Sequence, residues 1–226
     1  MQYQLSRVVI GPFLHAYGRP RVTGLENVPT SGPAILASNH LSIVDSVYLP
    51  LMVARPVVFP AKAEYFSARG PIGRLWAAYL RSTNQLELNR HNTRSAQATL
   101  EAAAEILRAG QLFGFYPEGT RSPDGRLYRG RSGIGWLALN SGAPVVPVAM
   151  SGTRKMMPPG SSVPRPARIE IKIGKPLEFG DLASEPPARA RRTIADEVMR
   201  AIGELSGQEY VHEYASDVKA KQAASS

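Results

Sequence analysis

The sequence predicts a single α/β domain, and three observations lead there. The chain has 226 residues, a length that suits one domain with a sizeable core. Short apolar runs bounded by turn residues recur at 33–37, 112–116 and 143–150 and read as buried strands. Stretches at 93–109 and 187–205 carry the 3.6-residue period of amphipathic helices. No internal repeat and no second domain is visible. The chain divides into an N-terminal amphipathic helix over 1–19, a domain over 20–206 and a polar tail over 207–226.

Composition narrows the function classes. Lys and Arg total 27 against 18 Asp and Glu, a formal net charge of +9. A basic surface favours polyanions: nucleic acid, anionic lipid or a phosphorylated substrate. Charge alone does not choose among them. There is no cysteine, which excludes disulfides, thiolate metal sites and a cysteine nucleophile and fits a reducing compartment. No apolar run reaches the length of about 18 residues that a bilayer-spanning helix needs. The apolar run at Val8, Val9 and Ile10 is broken by Gly11 and Pro12, without a small-residue cleavage site, so it does not read as a signal peptide.

Taken in order, residues 3–17 place Leu5, Val8, Val9, Pro12, Phe13 and Tyr17 on one face, with Arg7, Arg19 and Arg21 at the rim. That pattern fits a helix lying on a membrane surface, and equally a short helix packed on the domain. A strand and turn follow over 21–29, then the strand 33–37. Residues 56–60 read as a short strand, and Lys62 sits just past its end, where α/β proteins place ligand-binding groups. Leu75, Trp76, Tyr79 and Leu80, flanked by Arg69, Arg74 and Arg81, suit a lipid headgroup layer or a half-buried helix with solvated arginines. Residues 84–90 alternate as a strand ending in Arg90. In the helix 93–109, Ala96, Leu100, Ala103, Ala104 and Leu107 form the apolar face and Gly110 closes it; no chemistry is assigned to it. Strand 112–116 leads into the turn Pro117-Glu118-Gly119-Thr120-Arg121, and Arg126, Arg129 and Arg131 continue as a basic loop. Gly133 and Gly135 half-mimic a dinucleotide fingerprint, but no strand immediately precedes them and the reading is rejected. Strand 143–150, a long loop over 153–166, a strand over 168–173 with one solvated face and the helix 187–205 complete the domain. From Gly207 the chain is polar and is expected to fray.

The chemistry sits at two turns. Asn39 and His40 follow the first buried strand, and Asp45 comes five residues after the histidine, opening an apolar segment that can begin as a helix. Histidine takes and returns a proton near neutral pH. A carboxylate on one ring nitrogen leaves the other basic. The same spacing also fits an aspartate that caps a helix beside a satisfied loop histidine. The second turn is Tyr116-Pro117-Glu118-Gly119-Thr120-Arg121-Ser122. There is no GxSxG elbow, HExxH helix or Walker loop.

The pair of motifs, in this order and at this separation, resembles the glycerolipid acyltransferase family, most closely its lysophosphatidic acid acyltransferases. Gly24-Leu25-Glu26-Asn27-Val28-Pro29 and Pro144-Val145-Val146-Pro147-Val148 resemble further family segments. A third motif is partial: Arg90 is kept, but Asn84 and Glu87 replace the usual glycine and phenylalanine. The likeness covers about residues 20–175. It implies a mixed, mostly parallel central sheet flanked by helices. It also implies acyl transfer from acyl-CoA or acyl carrier protein to the sn-2 hydroxyl of lysophosphatidic acid, giving phosphatidic acid. His40 is then the general base and Asp45 orients it, with the acceptor hydroxyl in the place a serine holds in a triad. A thiolate is a tolerable leaving group, so no metal and no cofactor is required. Lys62, Arg90, Glu118, Gly119, Thr120 and Arg121 are the substrate-binding candidates, Arg121 and Lys62 for the acceptor phosphate. Glu118 holds Arg121, contacts a glycerol hydroxyl, or caps the turn, and backbone N–H groups near Gly119 are oxyanion candidates. The expected setting is the cytoplasmic face of the cell membrane, held peripherally on an anionic surface. Alternatives are another acceptor, glycerol 3-phosphate or a glycolipid, or a basic membrane- or nucleic-acid-binding module. No nucleic-acid-binding signature appears, and nucleic acid is not expected as a partner.

Overall fold

A computed structural model describes residues 11–62, 85–88, 93–161 and 163–224, with the single positions 64, 67, 70, 74, 77 and 80. The centre is a six-stranded sheet in the order β1-β9-β8-β2-β6-β3. Its strands are β1 (Arg21–Thr23), β2 (Ala34–Ser38), β3 (Val57–Val58), β6 (Leu112–Phe115), β8 (Val145–Ser151) and β9 (Glu170–Ile173). Every neighbouring pair is parallel except β8 with β9, the mixed, mostly parallel sheet expected. Two short parallel ladders stand apart: β4 (Pro60–Lys62) with β5 (Leu86–Leu88), and β7 (Leu127–Tyr128) with β10 (Tyr210–Val211). The helices are α1 (residues 11–18), α2 (Asp45–Met52), α3 (Thr93–Arg108), α4 (Gly133–Ser141), α5 (Thr153–Met156), α6 (Pro187–Ser206) and α7 (Ala215–Ala224).

Strand β2 is the spine, and every residue in it is buried. Side chains alternate across a strand, so β2 serves two core layers. Ala34 and Leu36 face Val47, Tyr48 and Leu51 of α2. Ile35 and Ala37 face Leu107 of α3, Leu137 of α4 and Val198 of α6. Full burial of each aliphatic side chain here contributes roughly 1.5–3 kcal/mol. Parallel pairing then fixes the site. Ala37 of β2 lies opposite Phe115 of β6, so the chain leaves both strands at the same end of the sheet. His40 and Glu118 each follow three residues later, at the carboxyl ends where open α/β sheets place their ligands.

The C-terminus differs from the expected frayed tail. β10 pairs with β7, and α7 follows. Ala215 is the buried residue of α7, so no apolar stripe announces the helix. Polar contacts hold it instead: Arg131 lies over the Tyr214 ring at 4.8 Å and donates to Ser216 Oγ at 2.7 Å. The loop expected over 153–166 begins with α5, and the basic loop after Arg126 contains β7. Of the N-terminal helix, residues 11–18 are helical; Leu5, Arg7, Val8 and Val9 lie outside the described residues, as do Arg69, Leu75, Trp76, Tyr79 and Arg81.

Candidate active site

The chain turns after β2 and folds back at Asp45. His40 Nδ1 lies 2.9 Å from Asp45 Oδ2. The same oxygen accepts the backbone N–H of Leu41 at 2.7 Å and of Ser42 at 2.8 Å. An oxygen that gathers donors requires Nδ1 to donate as well, which leaves the lone pair on Nε2. The Asp45 side chain is fully buried, whereas 16% of the His40 side chain is exposed, so the pair opens to solvent only through the imidazole. Asp45 is the first residue of α2, not its N-cap, which is Val44, and its carboxylate faces the histidine and the turn before the helix.

The other ring face of His40 is covered. Tyr116 stacks on the imidazole with centroids 3.9 Å apart and planes 9° apart. Tyr116 is itself backed by Phe59 at 5.3 Å and shares a 2.9 Å hydrogen bond with Ser46 Oγ at the start of α2. Phe59 has room because residue 114 is glycine; a Cβ there would stand 2.1 Å from its ring. Gly114, Phe59 and Tyr116 thus form a support that ends on the His40 ring.

Glu118 lies inside the second turn. As a substrate-binding candidate it has turn capping as its alternative; it is 1% exposed and both carboxylate oxygens accept backbone amides. His40 N–H donates to Oε2 at 3.0 Å and Tyr128 N–H to Oε1 at 2.9 Å. Ser122 N–H returns to the His40 carbonyl at 2.7 Å. The acid therefore clamps the second turn to the first rather than reaching outward. Burial raises its pKa to about 7, against the lowering pull of the Tyr128 and His40 amides. The Gly119 N–H donates to the Tyr116 carbonyl at 3.0 Å. Its φ of +72°, a left-handed value that glycine adopts without strain, and the Arg131 side chain 3.3 Å from a built Cβ explain glycine there.

Of the remaining candidates, Arg121 is exposed on the same turn, and Thr120 Oγ1 accepts from Lys219 Nζ at 2.9 Å. Lys62 closes strand β4 rather than following it; Arg90 lies outside the described residues. Sequence reasoning missed several positions. Asn39 exchanges two hydrogen bonds with the Met150 backbone, at 3.0 and 2.7 Å, and donates to Gln208 at 2.7 Å, so it ties β2 to β8 and to the C-terminal segment. Tyr116 was visible as the aromatic residue before the Pro-Glu-Gly-Thr-Arg turn. Lys219 and Gln208 carried no signal. Among the described residues, no group of His, Asp and Glu side chains is arranged to hold a metal ion.

Comparison with known proteins agrees with this geometry. The family model described as Acyltransferase matches residues 19–151. A chloroplastic 1-acyl-sn-glycerol-3-phosphate acyltransferase of Brassica napus is 34% identical over 185 residues, 81% of this chain and 52% of the relative. Its counterpart from Arabidopsis thaliana is also 34% identical, over 81% of this chain and 50% of the relative. The chain thus spans about half the length of these curated relatives. The crystal structure of the 1-acyl-sn-glycerophosphate acyltransferase PlsC from Thermotoga maritima superposes with a TM-score of 0.66 at 29% identity, covering 89% of this chain and 82% of that one. With a histidine–aspartate pair at the carboxyl end of β2, the second turn clamped to it and a family match that takes in both, the chain belongs to the acyltransferase family.

Proposed function

We propose that the chain moves a fatty acyl group from a thioester donor, acyl-CoA or acyl carrier protein, to the sn-2 hydroxyl of lysophosphatidic acid, giving phosphatidic acid. The observation that carries this reading is an Asp45-oriented His40 with, among the described residues, no protein nucleophile bonded to its ring. The neighbouring serines are committed elsewhere: Ser42 Oγ donates to the Met157 carbonyl at 2.9 Å and Ser122 Oγ to the Arg126 carbonyl at 2.8 Å. The nucleophile therefore comes from the substrate. Similarity to proteins named 1-acyl-sn-glycerol-3-phosphate acyltransferases supports the choice of acceptor.

In this mechanism His40 Nε2 takes the proton of the acceptor hydroxyl while its oxygen attacks the thioester carbonyl. The tetrahedral intermediate collapses with cleavage of the C–S bond, and the imidazolium returns the proton to the departing thiolate. Buried Asp45 steadies the cation between the two steps. Arg121 receives the acceptor phosphate. The setting is peripheral, at the cytoplasmic face of a membrane, because acceptor and product are lipids and the chain carries a net charge of +9. No described helix is long and apolar enough to cross a membrane. Thiol release from acyl-CoA and from acyl carrier protein, run against lysophosphatidic acid, glycerol 3-phosphate and a glycolipid with mass-spectrometric identification of product, tests the reading. Phosphatidic acid formed only with intact His40 is expected; no acylated lysophosphatidic acid from either donor overturns it.

A further inference from the structure

We infer that the C-terminal helix α7 is a wall of the active site and that its Lys219 binds the acceptor phosphate together with Arg121. The inference rests on the acyl-transfer reading and adds a residue beyond the 19–151 segment that the family model matches.

Lys219 Nζ is held 2.9 Å from Thr120 Oγ1. Thr120 sits between Glu118 and Ser122, the two residues that bond the backbone N–H and carbonyl of His40. The ammonium is thus positioned relative to the catalytic ring through the clamped turn itself. Nothing in this arrangement requires a lysine for stability, since Thr120 can be satisfied by water. An ammonium has three donors, and among the described residues Thr120 is its one hydrogen-bond acceptor.

The surrounding charge points to an anion. Arg121 leaves the same turn, and Arg154 is anchored beside it by bonds to the Ser122 and Pro123 carbonyls at 3.3 and 2.7 Å. Among the described residues, no carboxylate lies within ion-pair distance of Lys219, Arg121 or Arg154. Desolvation and then the charge of Arg121 hold the Lys219 pKa below its ordinary value, and Arg154 adds to the lowering. Glu118 is near enough to oppose them, but both its oxygens are occupied by backbone amides. Like charges gathered without a counterion raise the energy of the free site, and a phosphate dianion relieves that repulsion. The acceptor phosphate and the phosphates of the thioester donor share this chemistry; the acceptor is favoured because Thr120 and Arg121 belong to the turn that grips His40.

The test uses the full chain with Lys219→Ala and Lys219→Arg. In initial-rate kinetics, Lys219→Ala is expected to lower kcat/KM for lysophosphatidic acid about ten-fold, mainly through KM. The donor KM should be unchanged, monoacylglycerol turnover should change by less than about two-fold, and Lys219→Arg should restore much of the loss. Equal losses on both acceptors, a shift confined to the donor KM, or unchanged kinetics each overturns the proposal while leaving acyl transfer intact. A binding measurement independent of turnover is the thermal shift given by glycerol 3-phosphate and, separately, by CoA. Lys219→Ala should diminish the first and spare the second. This arm decides the subsite even if the wild type transfers to no acceptor tested, and a glycerol 3-phosphate shift that Lys219→Ala leaves intact overturns it.

Discussion

The imidazole of His40 and the phenol of Tyr116 lie face to face, 3.9 Å between centroids and 9° from parallel. The stack fixes the ring plane about the one axis that the Asp45 bond leaves free, and in the proposed mechanism it lies against the imidazolium formed during transfer. A cation on an aromatic face gains about 0.5–2 kcal/mol. Tyr116→Leu should therefore lower kcat by up to about thirty-fold with little change in either KM. Tyr116→Phe keeps the ring and loses the 2.9 Å bond to Ser46, so it should stay within a few-fold of wild type. Equal damage from both variants would assign the effect to the Ser46 bond.

Removing the base itself should cost more. His40→Ala is expected to fold, because the ring lies on the turn beyond the end of β2 and reaches solvent, and to lose at least about a hundred-fold in turnover. Asp45→Asn is a different defect. Its side chain can present an amide N–H where Oδ2 now accepts three donors, so the motif loop loses acceptors along with the tautomer lock. Severe slowing is expected, accompanied by a drop in thermal stability that His40→Ala does not share. Near-normal thiol release by either folded variant would remove that residue from the mechanism.

The contrast between these residues and Lys219 explains what was legible in the sequence. The strands of the sheet core and α3 and α6 announce themselves because burial on two faces or one stripe imposes an apolar pattern. The pairing of His40 with Asp45 is legible because the turn after β2 fixes their spacing and brings Nδ1 and Oδ2 together. For Glu118 the sequence gives a carboxylate beside a glycine turn, and only the fold brings the His40 and Tyr128 amides to its two oxygens. Residues 207–224 were unreadable because β10 and α7 are held by backbone pairing and by Arg129 and Arg131 over Tyr214, contacts without a periodic signature.

Glu118 should give the fold a pH signature. Its pKa is about 7 in the native protein against an ordinary 4.5, with burial as the main cause. The folded value lies above the unfolded one, so the native state holds the extra proton in that window. The contribution to stability is full below the unfolded value and is lost as pH rises through about 7. The displacement corresponds to roughly 3 kcal/mol. Chemical denaturation of wild type and Glu118→Gln from about pH 5 to pH 8 isolates it, because other titrations cancel in the difference. The stability of wild type relative to Glu118→Gln should fall across that range. A flat difference would mean that the carboxyl titrates outside it.

Membrane attachment is a separate matter from chemistry. In α1, Phe13 is 60% exposed and stacks on Tyr17 at 5.2 Å, with Arg19 and Arg21 following. An aromatic pair beside cations suits an anionic headgroup layer. Vesicle sedimentation should show peripheral binding through residues 3–17 that weakens in high salt and weakens further when residues 1–17 are deleted. Protein remaining in the supernatant with anionic vesicles at low salt would contradict the proposal.

Arg121 separates phosphate positioning from proton transfer. It is exposed on the turn that holds His40, carries charge that the proton-transfer step does not use, and among the described residues has no carboxylate at ion-pair distance. A hydrogen bond to a charged group contributes roughly 1.5–3 kcal/mol. Arg121→Ala should therefore lower kcat/KM for lysophosphatidic acid by about ten- to a hundred-fold. Arg121→Lys keeps the charge but not the planar fork and should recover only part of that loss. Against monoacylglycerol the wild type should already be poor and Arg121→Ala little worse, since the interaction being removed has no partner there. Initial rates on the two acceptors measure the difference. A loss of equal size on both would make Arg121 a structural residue or a donor contact, and the phosphate would have to be bound elsewhere.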